Sequence, residues 1–235
     1  EDIDTIDASG MFRTDFYDVH ARKMSQRDLI AEYVDRSKTG RAARKAVPGF
    51  HPLVYAAETG LDSTRDPLAH YIGTGTPQGI WNALVIDEHA EVDEAEAAKV
   101  SVALHIHAYY PEMLDELITR LNVGSVFPDL FISTRAGGED AVTQGARAYK
   151  GKLVEARAFP NIGRDLGPML SGFGDSLRQY DIVGHTHTKK SLHVQDRGVV
   201  SKWSNFMLNN LLGSEEAGPM ASRTITAMAR DPEIA

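Results

Sequence analysis

The sequence of 235 residues contains no cysteine. Disulfide bonds, cysteine-ligated zinc and a thiol nucleophile are therefore excluded, and the composition suits a reducing compartment. The chain also lacks any run of about 18 apolar residues, the length that a membrane-spanning helix needs, and no signal-peptide pattern is visible. Its net charge of −8 is the opposite of the basic surface typical of nucleic-acid binding, so we expect no nucleic acid among its partners.

Two nucleotide-binding signatures are missing as well, because neither Gly-x-Gly-x-x-Gly nor a Walker phosphate loop occurs. A hydrophobic content of 42% nevertheless supports a sizeable core. The chain starts at Glu1 without methionine and stops at Ala235 in what reads as the middle of an element. We therefore expect a piece of a longer protein and leave open that its last domain is truncated.

A duplicated segment occupies the first third of the chain. Residues 11–41 and 49–79 match without a gap at a constant offset of 38 positions. The matched pairs include Phe12 with Phe50, Tyr17 with Tyr55, Asp28 with Asp66, and Tyr33 with Tyr71. Each copy predicts two short helices, the second of them capped by its aspartate, with the aromatic residues in the core. We predict a small all-α duplicated module over 1–82 and an acidic linker or helix over 83–98, with a solvated connector favoured.

Strand and helix patterns alternate from residue 99 onward. Strands are predicted at 100–107, 129–134, 152–156 and 181–184, and helices at 111–118, 138–149, 167–179, 203–212 and 221–230. This alternation is typical of a parallel sheet, so we predict an α/β domain over 99–235. The carboxyl ends of parallel strands open on one edge, and ligands of such sheets bind there.

Polar residues that packing does not explain cluster at the predicted edge. One group lies in a segment that we predict to open a helix, and the others follow the first and fourth strands. The candidate substrate-binding residues are His105, His107, Asn161, Gly163, Arg164, His185, Lys189 and Lys190. Asp165 and His187 are the candidate catalytic residues.

The two His-x-His pairs are open to two interpretations. Side chains alternate along a strand, so each pair faces one side of the sheet. The pairs could ligate a metal with Asp165 as carboxylate partner, or they could be hydrogen-bonded histidines that shape a polar pocket. No aspartate lies beside the pairs in sequence. The second interpretation is therefore favoured, no tightly bound transition metal is expected, and a divalent metal stays an alternative.

The cationic residues suit a diphosphate ligand. Arg164 offers a planar fork to phosphate oxygens, and Lys189 and Lys190 offer point charges. The simpler interpretation of the lysine pair is a solvated turn. For Asn161 and Gly163 the simpler interpretation is a turn followed by a helix cap.

The second part of the chain resembles the rhamnan synthesis protein F family over roughly residues 99–235. Four motifs carry this resemblance in order: Val-Ala-Leu-His-Ile-His-Ala-Tyr-Tyr-Pro, Asn-Ile-Gly-Arg-Asp-Leu-Gly-Pro, His-Thr-His-Thr-Lys-Lys-Ser, and Trp203 with Asn-Asn-Leu-Leu-Gly-Ser at 209–214. That family is associated with bacterial surface-polysaccharide assembly and is regarded as glycosyltransferase-like. The segment at 66–71 looks like a module found beside glycosyltransferase domains.

The motif order also resembles the nucleotide-sugar half of a GT-A type glycosyltransferase, which implies a Rossmann-like parallel sheet. In that fold the corresponding strand ends in an Asp-x-Asp metal motif, whereas this chain has His185-Thr-His187 there. The departure puts the usual bridge between metal and diphosphate in doubt. The resemblance then implies that Lys189, Lys190 or Arg164 neutralises the diphosphate.

The resemblance implies a hexosyltransferase or rhamnosyltransferase in the bacterial cytoplasm that moves a sugar onto a cell-surface polysaccharide such as lipopolysaccharide or a cell-wall glycan. Its implied partners are a nucleotide-sugar donor and a glycan acceptor, with peripheral association with the inner membrane or with other glycan-synthesis enzymes left open. One alternative is a non-catalytic carbohydrate or nucleotide-sugar binding module, which the missing Asp-x-Asp favours. Another is a metal-dependent hydrolase, which carboxylates converging with the histidines would favour.

Overall fold

The chain divides into two compact units, Glu1–Val85 and Ile86–Ala235. The computed structural model describes residues 1–17, 24–38, 44–190 and 197–231. Residues 18–23 and 39–41 of the first repeat and Ser191 of the polar motif lie outside the described residues. Within the described ranges, no helix combines the length and the apolar character needed to cross a membrane.

Helices joined by turns and irregular segments make up the described residues of the first unit, with one isolated bridge between Phe50 and Asn82. Its helices are α1 (Asp2–Ser9), α2 (Thr14–Tyr17), α3 (Gln26–Lys38), α4 (Pro52–Thr59) and α5 (Pro67–Gly73). The paired helices α2 and α3 belong to the first repeat, and α4 and α5 belong to the second. Each repeat thus supplies two helices, as the duplicated pattern predicts.

An aromatic trio from each repeat forms the centre of this unit. The trios are Phe12, Tyr17 and Tyr33 in the first repeat and Phe50, Tyr55 and Tyr71 in the second. Ring centroids lie 5.2–5.8 Å apart in the first trio and 4.2–5.6 Å apart in the second. All six side chains are buried. The duplication of sequence is therefore also a duplication of packing.

The two aspartates of the repeats differ in role. Asp66 accepts a hydrogen bond of 2.9 Å from the amide of Ala69 and caps α5, whose first residue is Pro67. Asp28 is exposed and lies inside the first turn of α3. The side chain of Ser25 accepts from the Asp28 amide at 3.2 Å and donates to its carboxylate at 2.6 Å. The prediction that Asp28 caps α3 is wrong, because a serine three residues earlier already occupies that position.

The second unit contains a four-stranded parallel sheet. Its strands are β1 (Val102–Ala108), β2 (Asp129–Thr134), β3 (Leu153–Ala158) and β4 (Ile182–His187), in the order β3-β2-β1-β4. The predicted α/β fold with a Rossmann-like parallel sheet is confirmed. Strand β4 runs on through His187 instead of ending at Gly184, because residues 185–187 continue the pairing with β1.

Helices and short helical turns cover the sheet. They are α6 (Glu94–Ala97), α7 (Leu114–Leu121), α8 (Glu139–Gly145), α9 (Gly174–Leu177), α10 (Arg197–Leu211) and α11 (Met220–Arg230). The helix predicted at 167–179 is split into a π-helical segment, Pro168–Gly172, and α9. Between them, Phe173 turns its ring into the core.

The two faces of the sheet differ in the size of their apolar layer. One face carries Leu104, Ile106 and Ala108 of β1, which pack with residues of α7 and α8 in a large core. The opposite face has a smaller cluster of Ala103, Phe131, Phe173 and Leu177. Because side chains alternate along β1, His105 and His107 share the face with the smaller cluster.

The acidic segment before β1 is anchored by α11 over part of its length. Arg230 contacts both Glu91 and Asp93 at 3.0 Å. Arg223 donates a hydrogen bond of 2.9 Å to the carbonyl oxygen of Ala90. These partners lie more than 130 positions away in sequence, so local composition gave no sign of them.

Candidate functional site

The candidate site lies where the strand order reverses. Strands β2 and β3 lie on one side of β1 and β4 lies on the other. At such a reversal the crossover connections leave in opposite directions and open a crevice at the carboxyl ends of the strands. His105 pairs in register with His185, and His107 with His187, while Ser133 of β2 lies beside His107. Register alone thus gathers four imidazoles and one hydroxyl.

These side chains form one continuous hydrogen-bonded network. The Ser133 hydroxyl lies 2.8 Å from His105 Nε2 and 2.7 Å from His107 Nδ1. His105 Nδ1 lies 3.0 Å from His185 Nδ1, and the two rings are stacked. His185 Nε2 lies 3.1 Å from Asp165 Oδ2, and His187 Nδ1 lies 3.4 Å from the same oxygen.

A tight turn delivers Asp165 to this network. Gly163 and Arg164 both have left-handed backbone conformations, with φ of 76° and 56°. The Gly167 amide bonds to the Gly163 carbonyl at 2.9 Å, and a Cβ on Gly167 would lie 2.3 Å from the Ile162 carbonyl oxygen. A glycine is therefore required at 167 for the chain to reverse this closely. Residues 161–165 thus form a turn that precedes the helical segment, not its opening, because two consecutive left-handed residues interrupt a right-handed helix.

Burial lowers the pKa of His105, His107 and His187. Burial, together with neighbouring His185 and His107, lowers the pKa of the fully buried His105 to about 3. Burial also lowers the pKa of His107 and of His187, although the Asp165 carboxylate opposes that shift. For Asp165, burial raises the pKa, but the hydrogen bond from His185 and the nearby imidazoles outweigh it, so its pKa lies below the usual range. The carboxylate is therefore ionised at neutral pH.

The ionised carboxylate sets the direction of every hydrogen bond behind it. Asp165 accepts only, so His185 donates from Nε2 and, when neutral, offers a lone pair at Nδ1. His105 must then donate from Nδ1 and accept at Nε2 from the Ser133 hydroxyl. That hydroxyl in turn accepts from His107 Nδ1, which leaves the Nε2 of His107 as a lone pair. One carboxylate therefore fixes the tautomers of three histidines.

A cleft of about 690 Å³ opens above the network. It is lined by His107, Tyr109, Tyr110, Asn161, Arg164, Asp165, His187, Thr188, Lys189 and Lys190. The size falls within the range of small-ligand sites, and its wall combines aromatic rings with convergent polar groups. Such an arrangement suits a polar ligand that carries negative charge.

The three cations of the cleft differ in how they are engaged. Lys190 forms an ion pair with Glu112, and its ammonium lies 4.8 Å from the centre of the Tyr110 ring. Arg164 and Lys189 are exposed, and neither forms an ion pair or side-chain hydrogen bond with another residue that the structure describes. The charge of Lys190 is therefore already compensated, whereas those of Arg164 and Lys189 are available to a ligand.

Seven of the ten candidate site residues line the cleft. The other three do not line it and cannot contact a ligand there directly. His105 has no exposed surface and does not fit the predicted role in substrate contact, because Ser133, His185 and Phe173 surround its ring. His185 lies behind Asp165, hydrogen-bonded on both sides. Gly163 acts through the turn geometry and does not line the cleft. These three residues position others.

Ser133 and Thr188 were missed by sequence reasoning. Ser133 is fully buried at the end of β2, where the alternation argument used for the histidines would have found it. The Thr188 amide bonds to the His107 carbonyl at 3.0 Å, and its hydroxyl accepts from the Tyr110 amide at 3.0 Å. This pairing ties the two loops of the cleft together. No local pattern marks it, because it joins residues 78 positions apart.

Fold and site together define an α/β protein with a ligand cleft at the switch point of a parallel sheet. Comparison with protein-family models matches the rhamnan synthesis protein F family over residues 69–235. The match covers well over half of the chain, so this protein belongs to that family, as the motifs predicted. Membership connects it with polysaccharide synthesis. No curated protein and no solved structure matches the chain.

Proposed function

We propose that the α/β unit is a glycosyltransferase that moves a sugar from a nucleoside diphosphate sugar to a surface polysaccharide. One observation carries this proposal: two cations without partners among the described residues, Arg164 and Lys189, flank an ionised carboxylate and a histidine network in one cleft. The cleft lies at the switch point of a parallel sheet, where nucleotides bind in this fold class. Membership of a rhamnan synthesis family supports the class of substrate.

The proposed chemistry depends on charge that develops at the diphosphate. When the bond between the sugar and the phosphate breaks, negative charge builds on the departing phosphate oxygens. Fixed cations at that point stabilise the transition state more than the ground state. Arg164 can meet two phosphate oxygens with its planar fork, and Lys189 can neutralise a third.

Asp165 and His187 are the proposed catalytic groups, because they line the cleft next to the cations. Asp165 presents an ionised carboxylate to the sugar end of the ligand. His187 is exposed at the cleft, and its Nδ1 lies 3.4 Å from Asp165 Oδ2. His107 and Asn161 complete the wall as hydrogen-bonding groups for sugar hydroxyls.

Replacement of Lys189 by alanine tests the proposal directly. We expect a loss of about 1–3 kcal/mol in nucleotide-sugar binding, the scale of a hydrogen bond to a charged group, and little change in folding, because Lys189 is exposed. Calorimetry should use a panel of nucleoside diphosphate sugars that includes rhamnose donors. Lys152→Ala is the matched control, because Lys152 pairs with Asp129 at the opposite edge of the sheet.

Two results would remove the assignment. No binding of any donor by the folded wild type would end it, and equal affinities for wild type and Lys189→Ala would take Lys189 out of the site. Lys190→Ala sharpens the test, because the Lys190 charge is already paired with Glu112. We expect it to weaken donor binding less than Lys189→Ala does.

A metal-dependent hydrolase is the second candidate. Asp165 converges with His185 and His187, which is the condition under which the sequence favoured this function. The two candidates differ in product: a hydrolase releases free sugar in the absence of an acceptor, whereas a transferase needs the acceptor glycan. A binding module without catalysis would bind the donor and turn over neither. Product analysis with and without acceptor separates all three.

We also propose peripheral association with a membrane through α10. This helix exposes Val199, Trp203, Phe206, Met207 and Leu211 at helical spacing. An amphipathic helix with a tryptophan on its apolar face is typical of binding at the membrane interface. The exposed apolar residues of α10 therefore suit an enzyme that meets a membrane-associated acceptor.

Vesicle binding tests this second proposal. Vesicles of zwitterionic and anionic phospholipid should shift the tryptophan emission of the wild type to shorter wavelength. Trp203→Phe should abolish the shift, whereas Trp81→Phe, which removes the other tryptophan of the chain, should retain it. An unchanged emission spectrum in the presence of vesicles would rule the membrane role of α10 out.

A further inference from the structure

We propose that Asp165, His185 and His187 form a binding site for one divalent transition-metal ion. One oxygen and two imidazole nitrogens from these side chains all lie within 4.8 Å of one another. A single strand and one turn supply all three ligands. Both histidines lie on β4, and Asp165 lies in the turn before the π-helical segment. The two histidine ligands are therefore held by the sheet, and the carboxylate ligand is held by the turn.

The two distances from the Asp165 carboxylate to the histidine nitrogens fit metal coordination. Asp165 Oδ2 lies 3.1 Å from His185 Nε2 and 3.4 Å from His187 Nδ1. Two ligands that each sit about 2.1 Å from a metal ion lie roughly 3.0–3.4 Å apart in octahedral or tetrahedral geometry. An ion can therefore take the place of the hydrogen bond between Asp165 and His185 and of the close contact between Asp165 and His187.

The chemistry of the ligands selects the kind of ion. Imidazole nitrogen suits zinc, iron, copper and nickel, and the Asp165 carboxylate also suits manganese, whereas magnesium and calcium prefer sites made of oxygen ligands. Three protein ligands leave further coordination positions open toward the cleft. A metal ion competes with protons for carboxylate and imidazole ligands, so metal affinity should fall as the pH is lowered.

The buried histidines behind the site supply the outer shell. A metal-bound histidine donates its second ring N–H to a neighbour, which fixes the orientation of the ring. His185 Nδ1 faces His105 Nδ1 at 3.0 Å, so His105 is placed to accept that hydrogen bond. His105, which is too buried to contact a substrate, would therefore act by orienting His185.

Metal binding would reverse the hydrogen bonds of the whole network. With Nε2 on the ion, His185 carries its hydrogen at Nδ1 and donates to His105. His105 then holds its hydrogen at Nε2, Ser133 turns its hydroxyl toward His107 Nδ1, and His107 presents an N–H at Nε2. The number of hydrogens in the network stays the same: the one displaced from His185 leaves to solvent and one is taken up at His107.

The metal's role in catalysis rests on the proposed function, but its binding does not. In a glycosyltransferase the open coordination positions would take diphosphate oxygens beside Arg164 and Lys189. Asp165 and His187 would then act on the ligand through the ion. Sequence reasoning disfavoured a metal because no aspartate lies near the histidine pairs along the chain, and the turn at 163–167 supplies one in space.

Titration of chelator-treated protein with metal alone tests the site. We expect zinc and manganese to bind with a stoichiometry of one and magnesium to bind far more weakly. Asp165→Asn and His187→Gln should each reduce zinc affinity at least tenfold. His89→Gln is the control, because His89 is an exposed histidine outside the cleft and should leave affinity unchanged.

Two outcomes would overturn the site. They are no zinc or manganese binding by the folded wild type, or affinity unchanged in both Asp165→Asn and His187→Gln. If Asp165→Asn does not fold, His187→Gln decides alone, because its side chain is 40% exposed and carries little of the packing. Nitrogen-15 spectra of the imidazole rings give a second readout, since zinc should move the hydrogen of His105 from Nδ1 to Nε2.

Donor binding in chelator separates this inference from the proposed function. Metal binding without any nucleotide-sugar binding would support the metal site and contradict the proposed transferase function. Donor binding in chelator, together with no metal binding, would support the donor cleft and contradict the metal site. Donor affinity that rises on addition of zinc or manganese supports both.

Discussion

Two clusters of ring side chains make the two units of this protein instructive to compare. The first unit gathers six phenylalanine and tyrosine rings in two trios, and the second gathers four histidine rings at the end of a sheet. Both clusters have ring centroids about 4–6 Å apart. The aromatic trios gain stability from burial of apolar surface. Among the histidines, His105 and His107 are buried at a cost, which hydrogen bonds only partly offset.

The difference separates packing from chemistry. Loss of an aromatic ring leaves a cavity in the core and lowers stability. Hydrogen-bonded imidazoles add little stability, but they supply oriented donors and acceptors and can change protonation state. Regions selected for function commonly carry such costs. Mutations in the trios should therefore move stability, and mutations in the histidine network should move pH dependence and binding.

Removal of one ring from a trio should give the largest effect. Phe12→Ala and Phe50→Ala should each lower the free energy of unfolding of the first unit by about 3–5 kcal/mol, because each leaves a cavity in a buried core. His187→Ala should change stability by less than about 1 kcal/mol, because its ring is exposed. Urea unfolding at neutral pH measures all three. Similar losses for the phenylalanine and histidine variants would erase the contrast between the clusters.

The pH dependence of stability should reveal the cost of the buried histidine. The pKa of His105 is about 3 in the folded state, compared with 6.5 in the unfolded chain. Below pH 6.5 the unfolded state binds the proton and the folded state does not, so stability falls as pH is lowered. Between pH 6.5 and 5 the fall should be about 1.6 kcal/mol, because the slope rises from half its full value at pH 6.5 toward about 1.4 kcal/mol per pH unit.

His105→Gln isolates this contribution, because glutamine does not titrate. Its unfolding free energy should depend less on pH than that of the wild type over the same window, measured in chelator. His107 and His187 have lowered pKa values in the folded state as well and add to the slope in the same direction. Identical slopes for His105→Gln and the wild type would mean that His105 is not the source.

The two aspartates of the repeats offer a smaller, matched test. Asp66→Ala should cost about 1 kcal/mol, because it removes the cap of α5. Asp28→Ala should change the unfolding free energy by less than about 0.5 kcal/mol, because Ser25 caps α3 and Asp28 is exposed. Asp66→Asn should retain the stability of the wild type, since asparagine caps equally well. Equal costs at 28 and 66 would restore the symmetric assignment that the sequence suggested.

Arg164 should show the smallest change in stability and a clear change in binding. Its φ of 56° is unfavourable for a residue with a side chain, so Arg164→Gly should raise the unfolding free energy by up to about 1 kcal/mol. Donor affinity should fall in the same variant. Arg164→Ala is the control, since it removes the charge but keeps the unfavourable backbone. A loss of stability in Arg164→Gly would show that the turn depends on the arginine itself.

Much of the fold followed from local patterns. The predicted strand at 129–134 coincides with β2, and the repeat offset of 38 positions locates both aromatic trios. The errors have local causes at α3 and at the divided helix, and distant causes at the acidic segment, whose partners lie more than 130 positions away. Ser25 displaced Asp28 as a cap, Arg223 and Arg230 anchored the acidic segment, and Phe173 divided a predicted helix.

The sequence by itself determined the class of the sheet, the edge at which polar residues collect and the family. Hydrophobic periodicity and motif order are local properties, so they can be read along the chain. Only the tertiary structure decided that Asp165 meets His185 and His187, that Ser133 links His105 to His107, and that His105 is hidden. The strand register joins segments far apart in sequence, and the local turn with two left-handed residues brings Asp165 to the histidines only once the sheet has formed.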